Sequence, residues 1–315
     1  MALFDKGKQS IPSNLLTSKF GWPPFSILNT ISWDWQRRRD EWESLGFNSS
    51  DGRDVKRYNA TPTNVFSSRG ASAKTAESVS TFDPFLCELM YKWFSVKGMY
   101  VLDPFAGGSV RGIVASVLGR HYVGIDLSKE QVAVNIEQYD SLCEKYSNIE
   151  GSAGWIVGDS ADVLSRVDFH GLYDMVFTCP PYYNLERYSS DVLDLSNAPT
   201  YGSFYTKYKD ILRLSYNLLK DDSFFVIVVS EIRKSSNNAD SEFIGFVPDT
   251  IRILQDFGLK YYNEIILENN IGSLPIRAPK NFNRSRKIGR HHQNILVFYK
   301  GDITEIEHKF GEVLP

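Results

Sequence analysis

The amino-acid sequence predicts an α/β fold built on a doubly wound, mostly parallel sheet. From about residue 98 onward, short apolar runs alternate with amphipathic stretches of helical length. Strands that alternate with helices along a chain assemble into a parallel sheet covered by helices. The chain has 315 residues, of which 42% are hydrophobic, so it can bury a substantial core. This length suits one large domain with additions or two ordinary domains.

The expected strands and helices follow one another in a regular order. Strands are expected at residues 99–103, 121–126, 154–159, 173–179, 223–231, 260–267 and 293–301. Helices are expected at residues 109–120, 128–146, 204–219 and 248–258, and Ser128 is expected to cap the second of them. No helix is expected between the last two strands, which predicts an antiparallel pair at one edge of the sheet.

The first 80 residues lack this regular pattern. They are polar, with many Ser, Asn and Gly residues, and the stretch 67–80 is typical of a linker. Four of the 6 tryptophans of the chain lie within residues 1–42. We therefore divide the chain into an irregular amino-terminal extension, residues 1–80, and one α/β domain, residues 81–315.

Composition excludes several classes of protein. The longest apolar run, Phe224 to Val229, is far shorter than a membrane span, and residues 1–10 lack the apolar core of a signal peptide. The three cysteines, Cys87, Cys143 and Cys179, are too widely spaced for a zinc site or a disulfide framework. The sequence therefore predicts a soluble, cytoplasmic protein without a membrane partner or a metal ion.

Positive charge is concentrated near the carboxyl terminus. The net charge of the chain is −3, yet residues 277–292 carry six Lys or Arg residues, two His residues and no carboxylate. Such a segment is either a solvated loop or a surface that faces phosphates. Its candidate phosphate-binding residues are Arg284, Arg286, Lys287 and Arg290.

Three aspartates fall at the carboxyl ends of consecutive predicted strands. Asp103, Asp126 and Asp159 close the first, second and third strands, and Gly107 and Gly108 follow Asp103. Ligands of doubly wound sheets bind beyond these strand ends, and an acid about 20 residues after a glycine-bearing turn commonly holds ribose hydroxyls. The turn lacks the spacing of a phosphate-binding loop. A ligand with ribose, adenine and a cationic amino-acid tail, such as S-adenosylmethionine, fits this turn better than a ligand held by its pyrophosphate.

The fourth predicted strand ends in the sequence TCPPYYN, residues 178–184. Two successive prolines cannot continue a sheet ladder, because neither has an amide hydrogen to donate. Taken alone, this elbow is either a simple end of a strand or a platform that presents aromatic rings to a ligand.

The motifs DPFAGGS, GIDLS, GDS and TCPPYYN, in this order and spacing, resemble those of the S-adenosylmethionine-dependent DNA amino-methyltransferases. The similarity extends from about residue 80 to residue 301, including the stretches TFDPFLCELMYKWF and RKIGRHHQNILVFYKG. It implies a Rossmann-like methyltransferase sheet and an enzyme that methylates the exocyclic amine of adenine or cytosine in double-stranded DNA. Phage and prophage modification methylases are the most similar group, which implies a bacterial or phage-infected cell.

The resemblance also implies the residues of the cofactor site. They are Phe82, Asp83, Asp103, Phe105, Gly107, Gly108, Asp126 and Asp159. In this family Asp126 would hold the ribose hydroxyls and Asp159 the adenine amine, whereas Asp103 and the glycines would lie at the methionine end.

For the elbow, the resemblance implies a catalytic platform made of Cys179, Pro180, Pro181 and Tyr182. The carbonyl group of Pro180 would accept a hydrogen bond from the base amine, and Tyr182 would stack on a base turned out of the duplex. The family usually has Asp, Asn or Ser at the position of Cys179, and a thiol is a weak acceptor. A covalent role for Cys179 is disfavoured, because cytosine-carbon methylases place proline before cysteine.

Several alternatives remain open at this point. Adenine is the expected target because it is the commoner one in this group, but the elbow serves cytosine equally. RNA amine methyltransferases and a protein glutamine methyltransferase share the elbow, and a catalytically silent nucleic-acid-binding module is the third class. The short segments outside the core predict recognition of only a few base pairs, with the first 80 residues as the expected reader. Whether two copies form a homodimer is also open.

Overall fold

The computed structural model describes residues 21–47, 82–183, 191, 193–233, 242–272 and 274–311. Eight strands form one sheet: β1 (Ile27–Asn29), β2 (Tyr100–Asp103), β3 (His121–Asp126), β4 (Ser152–Val157), β5 (Tyr173–Thr178), β6 (Leu219–Val229), β7 (Lys260–Glu268) and β8 (His292–Lys300). Their order across the sheet is β1-β7-β8-β6-β5-β2-β3-β4. Strands β2 to β6 are mutually parallel, so their carboxyl ends meet at one edge of the sheet.

Nine helices accompany the sheet in the described ranges. They are α1 (Trp33–Glu43), α2 (Pro84–Phe94), α3 (Val110–Val117), α4 (Lys129–Lys145), α5 (Ser160–Ser165), α6 (Tyr201–Leu218), α7 (Phe246–Asp256), α8 (Leu274–Ser285) and α9 (Ile306–Phe310). As predicted, Ser128 caps α4, since its hydroxyl accepts a hydrogen bond from the amide of Gln131 at 3.1 Å. Within these ranges, no helix is long and apolar enough to cross a membrane.

The core has two layers, one on each face of the sheet. Successive side chains of a strand point to opposite faces, so along β6 Phe224 belongs to one hydrophobic cluster and Phe225 to the other. The first cluster joins the sheet to α1, α2, α3 and α4, and the second joins it to α5, α6 and α7. The structure thus confirms the predicted doubly wound α/β fold, with every predicted strand and helix present.

The last two strands are antiparallel, as predicted, but β1 lies outside them at the edge of the sheet, and the connection between them was predicted wrongly. Strand β8 runs antiparallel to both β6 and β7. Helix α8 lies between β7 and β8, where the sequence analysis expected none. This helix contains Pro279, and its Ile276 and Phe282 are 79% and 45% exposed, so it lacks the buried apolar stripe by which helices are recognised.

Part of the amino-terminal region contributes regular structure to the sheet. Strand β1 pairs in parallel with β7, and helix α1 packs on α2. The sequence analysis described this region as irregular and predicted neither element. Residues 67–80, the predicted linker, lie outside the described residues.

Helix α1 is held to α2 by a buried ionic cluster. Trp42 and Glu88 are completely buried, and the indole of Trp42 donates a hydrogen bond of 2.7 Å to the Glu88 carboxylate. The guanidinium of Arg38 donates two bonds, of 2.8 and 2.9 Å, to the same group, and the Lys92 ammonium lies 2.7 Å away. Burial by itself raises the pKa of Glu88, but Lys92 and Arg38 outweigh it and lower the pKa from 4.5 to about 2.

Candidate functional site

Hydrogen bonds join the carboxyl ends of β2, β3 and β4 into one surface. The carboxylate of Asp126, at the end of β3, accepts a bond of 2.8 Å from the amide of Gly107 in the loop after β2. The carbonyl of Asp126 accepts a bond of 2.9 Å from Gly158, after β4. The hydroxyl of Ser160 donates a bond of 2.5 Å to the carbonyl of Pro104. The predicted meeting of these three motifs is therefore observed.

The fourth strand end is joined to the first through Asp103. This carboxylate is completely buried and accepts bonds from the hydroxyl of Thr178 at 2.6 Å and from that of Tyr122 at 2.8 Å. It also forms an ion pair of 2.5 Å with Arg111. Because Thr178 immediately precedes the proline elbow, Asp103 fixes the elbow relative to the glycine turn. Its burial leaves no accessible carboxylate surface.

The buried side chain of Arg111 holds the backbone of the glycine turn by hydrogen bonds. Its guanidinium donates bonds of 2.7 and 2.8 Å to the carbonyl oxygens of Phe105 and Ala106, and it lies 4.4 Å from the ring centre of Phe82. Burial by itself lowers the pKa of Arg111, but the Asp103 carboxylate more than offsets this effect, so the pKa is raised. The buried cation therefore remains charged.

The turn itself requires glycine. Gly107 has φ of +53°, a left-handed conformation that residues with a Cβ atom rarely adopt. Its carbonyl accepts a bond of 2.7 Å from the side chain of Asn135 on α4, which in turn accepts one of 2.9 Å from Gln131. Gly108 follows and is buried. The turn is thus anchored on both sides before any ligand binds.

Asp126 and Asp159 both lie at the strand-end surface and are only partly buried. Besides Gly107, Asp126 accepts a bond of 2.9 Å from the amide of Ser128. Asp159 caps α5 through the amide of Ala161 and forms an ion pair of 2.9 Å with Lys207 of α6. Both carboxylates therefore also support local structure.

Phe82 and Asp83 lie at the start of α2, beside the turn. Asp83 accepts bonds of 2.8 and 3.1 Å from the amides of Phe85 and Leu86, and a further bond of 2.8 Å from the indole of Trp35. Burial raises the pKa of Asp83. Helix α1 therefore reaches the candidate cofactor site, a contribution that the sequence analysis missed.

The proline elbow presents Tyr182 at the same edge. Pro180 is buried, Cys179 and Pro181 are half-buried, and the thiol of Cys179 lies 3.7 Å from the hydroxyl of Tyr182. That hydroxyl accepts a bond of 2.8 Å from the side chain of Gln293. The ring of Tyr182 also packs edge-on against Phe246, with 6.1 Å between ring centres. Gln293, at the start of β8, is a second residue that the sequence analysis did not identify.

The basic segment approaches this edge through β8. Arg284 lies in the last turn of α8, so part of the basic segment, for which a solvated loop was one of two interpretations, is helical. Arg286, Lys287 and Arg290 follow α8, and all three line a cavity of about 600 Å³. Because β8 runs antiparallel to β6, its first residues lie beside the carboxyl end of β6, where Asn294 is paired with Val229. The described residues contain no cluster of three potential metal ligands.

Comparison with known proteins identifies the family. The family model described as DNA methylase matches residues 18–137 and 173–312, which is most of the chain. This chain belongs to the DNA methylase family. The chain is 47% identical over 38 residues to the Type II methyltransferase M2.DpnII of Streptococcus pneumoniae, an alignment of 12% of this chain and 14% of that enzyme.

Two solved structures illustrate the similarity of the methylase to known folds. TTHA0409 of Thermus thermophilus, complexed with S-adenosyl-L-methionine, is 20% identical, with 46% of this chain and 54% of that chain covered and a TM-score of 0.35. A SAM-dependent methyltransferase of Methanosarcina mazei is 12% identical, with 67% and 97% covered and a TM-score of 0.42. The methylase thus spans about half the length of the Thermus protein.

The predicted residues of the methylase fall into three groups in the structure. The strand-end group of Gly107, Asp126 and Asp159 and the elbow residue Tyr182 lie along one edge of the sheet. Asp103 is enclosed beneath that edge. Of the four basic residues, Arg286, Lys287 and Arg290 line one cavity just before β8, whereas Arg284 lies in the last turn of α8.

Proposed function

We propose that this methylase transfers a methyl group from S-adenosylmethionine to the exocyclic amine of a base in double-stranded DNA, with adenine N6 as the expected target. The observation that carries the proposal is the chain of contacts from Asp126 through Gly107 to the elbow. The glycine turn contacts Asp126, Arg111 holds that turn, and Asp103 binds both Arg111 and Thr178. A cofactor on the turn and a base on the elbow would therefore be neighbours with a fixed separation.

The residues of the strand-end surface fit this cofactor. Gly107 has no side chain above the turn, and Asp126 keeps a partly exposed carboxylate next to it, which suits two ribose hydroxyls. Asp159 would accept a hydrogen bond from the adenine amine, and the half-buried ring of Phe105 would line the adenosine site. Phe82 would lie near the methionine end, with Asp83 beneath it as the helix cap. The sulfonium group of the cofactor supplies an electrophilic methyl group.

Asp103 has a different role in this proposal. Its carboxylate would orient the turn through Arg111 and the elbow through Thr178, without touching the cofactor. Such a positioning residue holds the methyl donor and the acceptor in line, and a small displacement of either slows the transfer strongly.

The elbow would prepare the amine for attack. The lone pair of an exocyclic amine is delocalised into the base, so an acceptor must draw on its N–H bonds and favour tetrahedral geometry. We assign this role to the carbonyl of Pro180, with Pro181 fixing the direction of the chain and Cys179 as a weaker second contact. Tyr182, oriented by Gln293, would stack on the base after it leaves the duplex.

The basic residues near β8 support a polyanionic substrate. Arg286, Lys287 and Arg290 would contact phosphates on the same side of the sheet as the elbow, and such contacts position a protein without carrying sequence. We also propose that the amino-terminal 80 residues contact DNA and that residues 81–315 form the methyltransferase domain, to which β1 adds a strand and α1 a helix.

The test is transfer of tritium from labelled S-adenosylmethionine to unmethylated DNA, total RNA and protein in parallel. Transfer to DNA is expected, and mass spectrometry of the digested nucleosides then distinguishes N6-methyladenine from N4-methylcytosine. Transfer to RNA alone would replace the substrate in this proposal with RNA.

Asp126→Ala tests the cofactor site independently of the substrate. Calorimetry should detect no binding of S-adenosylmethionine to this variant, because the strand-end carboxylate is lost. Asp140→Ala, which removes an exposed carboxylate on α4, is the matched control and should bind normally. Unchanged affinity in Asp126→Ala would remove the cofactor assignment.

A further inference from the structure

A cavity of about 600 Å³ is lined by two separate parts of the chain. Arg233, Glu242 and Phe243 line it from one part of the chain, and Arg286, Lys287 and Arg290 from the other. This volume lies within the range of about 300–1,000 Å³ that is usual for small-molecule sites.

One wall of the cavity is aromatic and rigidly held. Arg233, after β6, and Phe243, before α7, form an antiparallel bridge, and the amide of Ile244 donates a bond of 2.8 Å to the carbonyl of Ile232. The guanidinium of Arg233 lies 3.9 Å from the ring centre of Phe243, which is a cation–π contact. Phe243 is nevertheless 46% exposed, so much of its surface faces outward.

The other part of the lining is cationic. Arg286, Lys287 and Arg290 contribute three positive charges, whereas Glu242 is the one carboxylate among the described lining residues. The guanidinium of Arg290 is held in place, since it donates a bond of 3.1 Å to the carbonyl of His292 and a second bond to the side chain of Asn294. Burial, followed by the charges of Arg290 and His291, lowers the pKa of His292, as expected next to a positive surface. An anion is therefore favoured here.

The cavity is next to the elbow. His292, in the lining, is followed directly by Gln293, whose side chain donates a bond of 2.8 Å to the hydroxyl of Tyr182. A ligand in the cavity would thus be separated from a base on Tyr182 by this short stretch of β8.

A ligand that matches these walls has an anionic group, a planar ring and a polar edge. Arg side chains stack on bases, aromatic rings stack on any base, and a carboxylate such as Glu242 accepts hydrogen bonds from base amino groups. We propose that the cavity binds the DNA nucleotide adjacent to the target base, with its phosphate on the cationic wall and its base against Arg233 and Phe243. This inference rests on the proposed function and adds to it a site for a second nucleotide.

The test measures how far the base next to the target contributes to binding. The probes are duplexes that carry the methylated site mapped by sequencing, either intact or with an abasic nucleotide on one or the other side of the target. Wild-type methylase should bind one of the abasic duplexes about tenfold more weakly than the intact duplex, as expected for loss of a stacked base. In Phe243→Ala the difference in affinity between the intact duplex and that abasic duplex should be much smaller, whereas Phe243→Tyr, which keeps the ring, should retain it.

Phe169→Ala provides the matched control. Phe169 is 68% exposed and precedes β5, at the opposite edge of the sheet from the elbow, so this variant should behave like the wild type. Calorimetry with S-adenosylmethionine checks that each variant is folded.

The outcomes separate this inference from the proposed function. If the wild type methylates DNA and Phe243→Ala keeps the full difference between intact and abasic duplexes, the cavity assignment is overturned and the proposed function stands. If the wild type transfers no methyl group to DNA, the proposed function fails and the cavity assignment fails with it. A smaller difference between intact and abasic duplexes in Phe243→Ala, with the full difference in Phe243→Tyr and Phe169→Ala, supports the second nucleotide site.

Discussion

Replacement of Glu88 by glutamine should loosen helix α1 from the rest of the domain. The Glu88 carboxylate is completely buried and receives donors from Arg38, Lys92 and Trp42. Glutamine keeps the size of the side chain but removes its charge, so two cations are left facing a neutral amide. Breaking a buried ion pair in this way is strongly destabilising.

The size of the effect follows from the pKa. The pKa of Glu88 is lowered from 4.5 to about 2, and each pKa unit corresponds to about 1.4 kcal/mol. The ionised carboxylate therefore contributes about 3 kcal/mol to the free energy of unfolding at neutral pH. Because the folded-state pKa is depressed, this contribution is present above pH 4.5 and is lost as the pH falls toward about 2.

Urea unfolding followed by tryptophan fluorescence measures the effect, since Trp35 and Trp42 lie in the affected contact. The free energy of unfolding of Glu88→Gln should be about 3 kcal/mol lower than that of the wild type at pH 7, and the difference should shrink below pH 4.5. Glu137→Gln, an exposed substitution on α4, is the control. A Glu88 variant as stable as this control, or a difference that does not change with pH, would refute the reasoning.

Three further outcomes are expected at the proposed DNA site. Cys179→Ser should keep most methyl transfer, because direct attack by an amine needs no thiolate, and a covalent DNA adduct at Cys179 would contradict this expectation. Tyr182→Ala should lose most methyl transfer, because it removes a stacking contact of about 1–3 kcal/mol. Exchange of both Arg286 and Lys287 for glutamine should flatten the slope of log DNA affinity against log salt concentration by about 1–2. An unchanged slope would show that the two side chains are solvated and do not contact phosphates. Long-read mapping of methylation in an expressing host should find a target of a few base pairs, and one fully methylated site of about six or more base pairs would argue against this.

The regular part of the fold was predictable because its pattern is strong. Buried strands such as β6 and amphipathic helices such as α4 carry periodic signals that depend only on the local sequence. The elements that were missed depend on distant partners. Strand β1 has three residues and is defined by pairing with β7, and α1 is stabilised by Glu88, which lies 46 positions beyond Trp42. A local sequence pattern does not indicate contacts between residues that lie so far apart in the chain.

At the candidate site, the family resemblance assigned both Asp103 and Asp126 to the cofactor, Asp103 at the methionine end and Asp126 at the ribose. The local sequence around each strand end does not distinguish an enclosed carboxylate from an accessible one. The structure does so through Arg111, which encloses Asp103, whereas Asp126 stays partly accessible beside Gly107. A buried carboxylate with three side-chain donors is held rigidly, and in the proposed reaction this rigidity is useful, because a methyl donor and an amine must be aligned before transfer. In that proposal, Arg111 explains how Asp103 positions the reacting groups while Asp126 binds the cofactor.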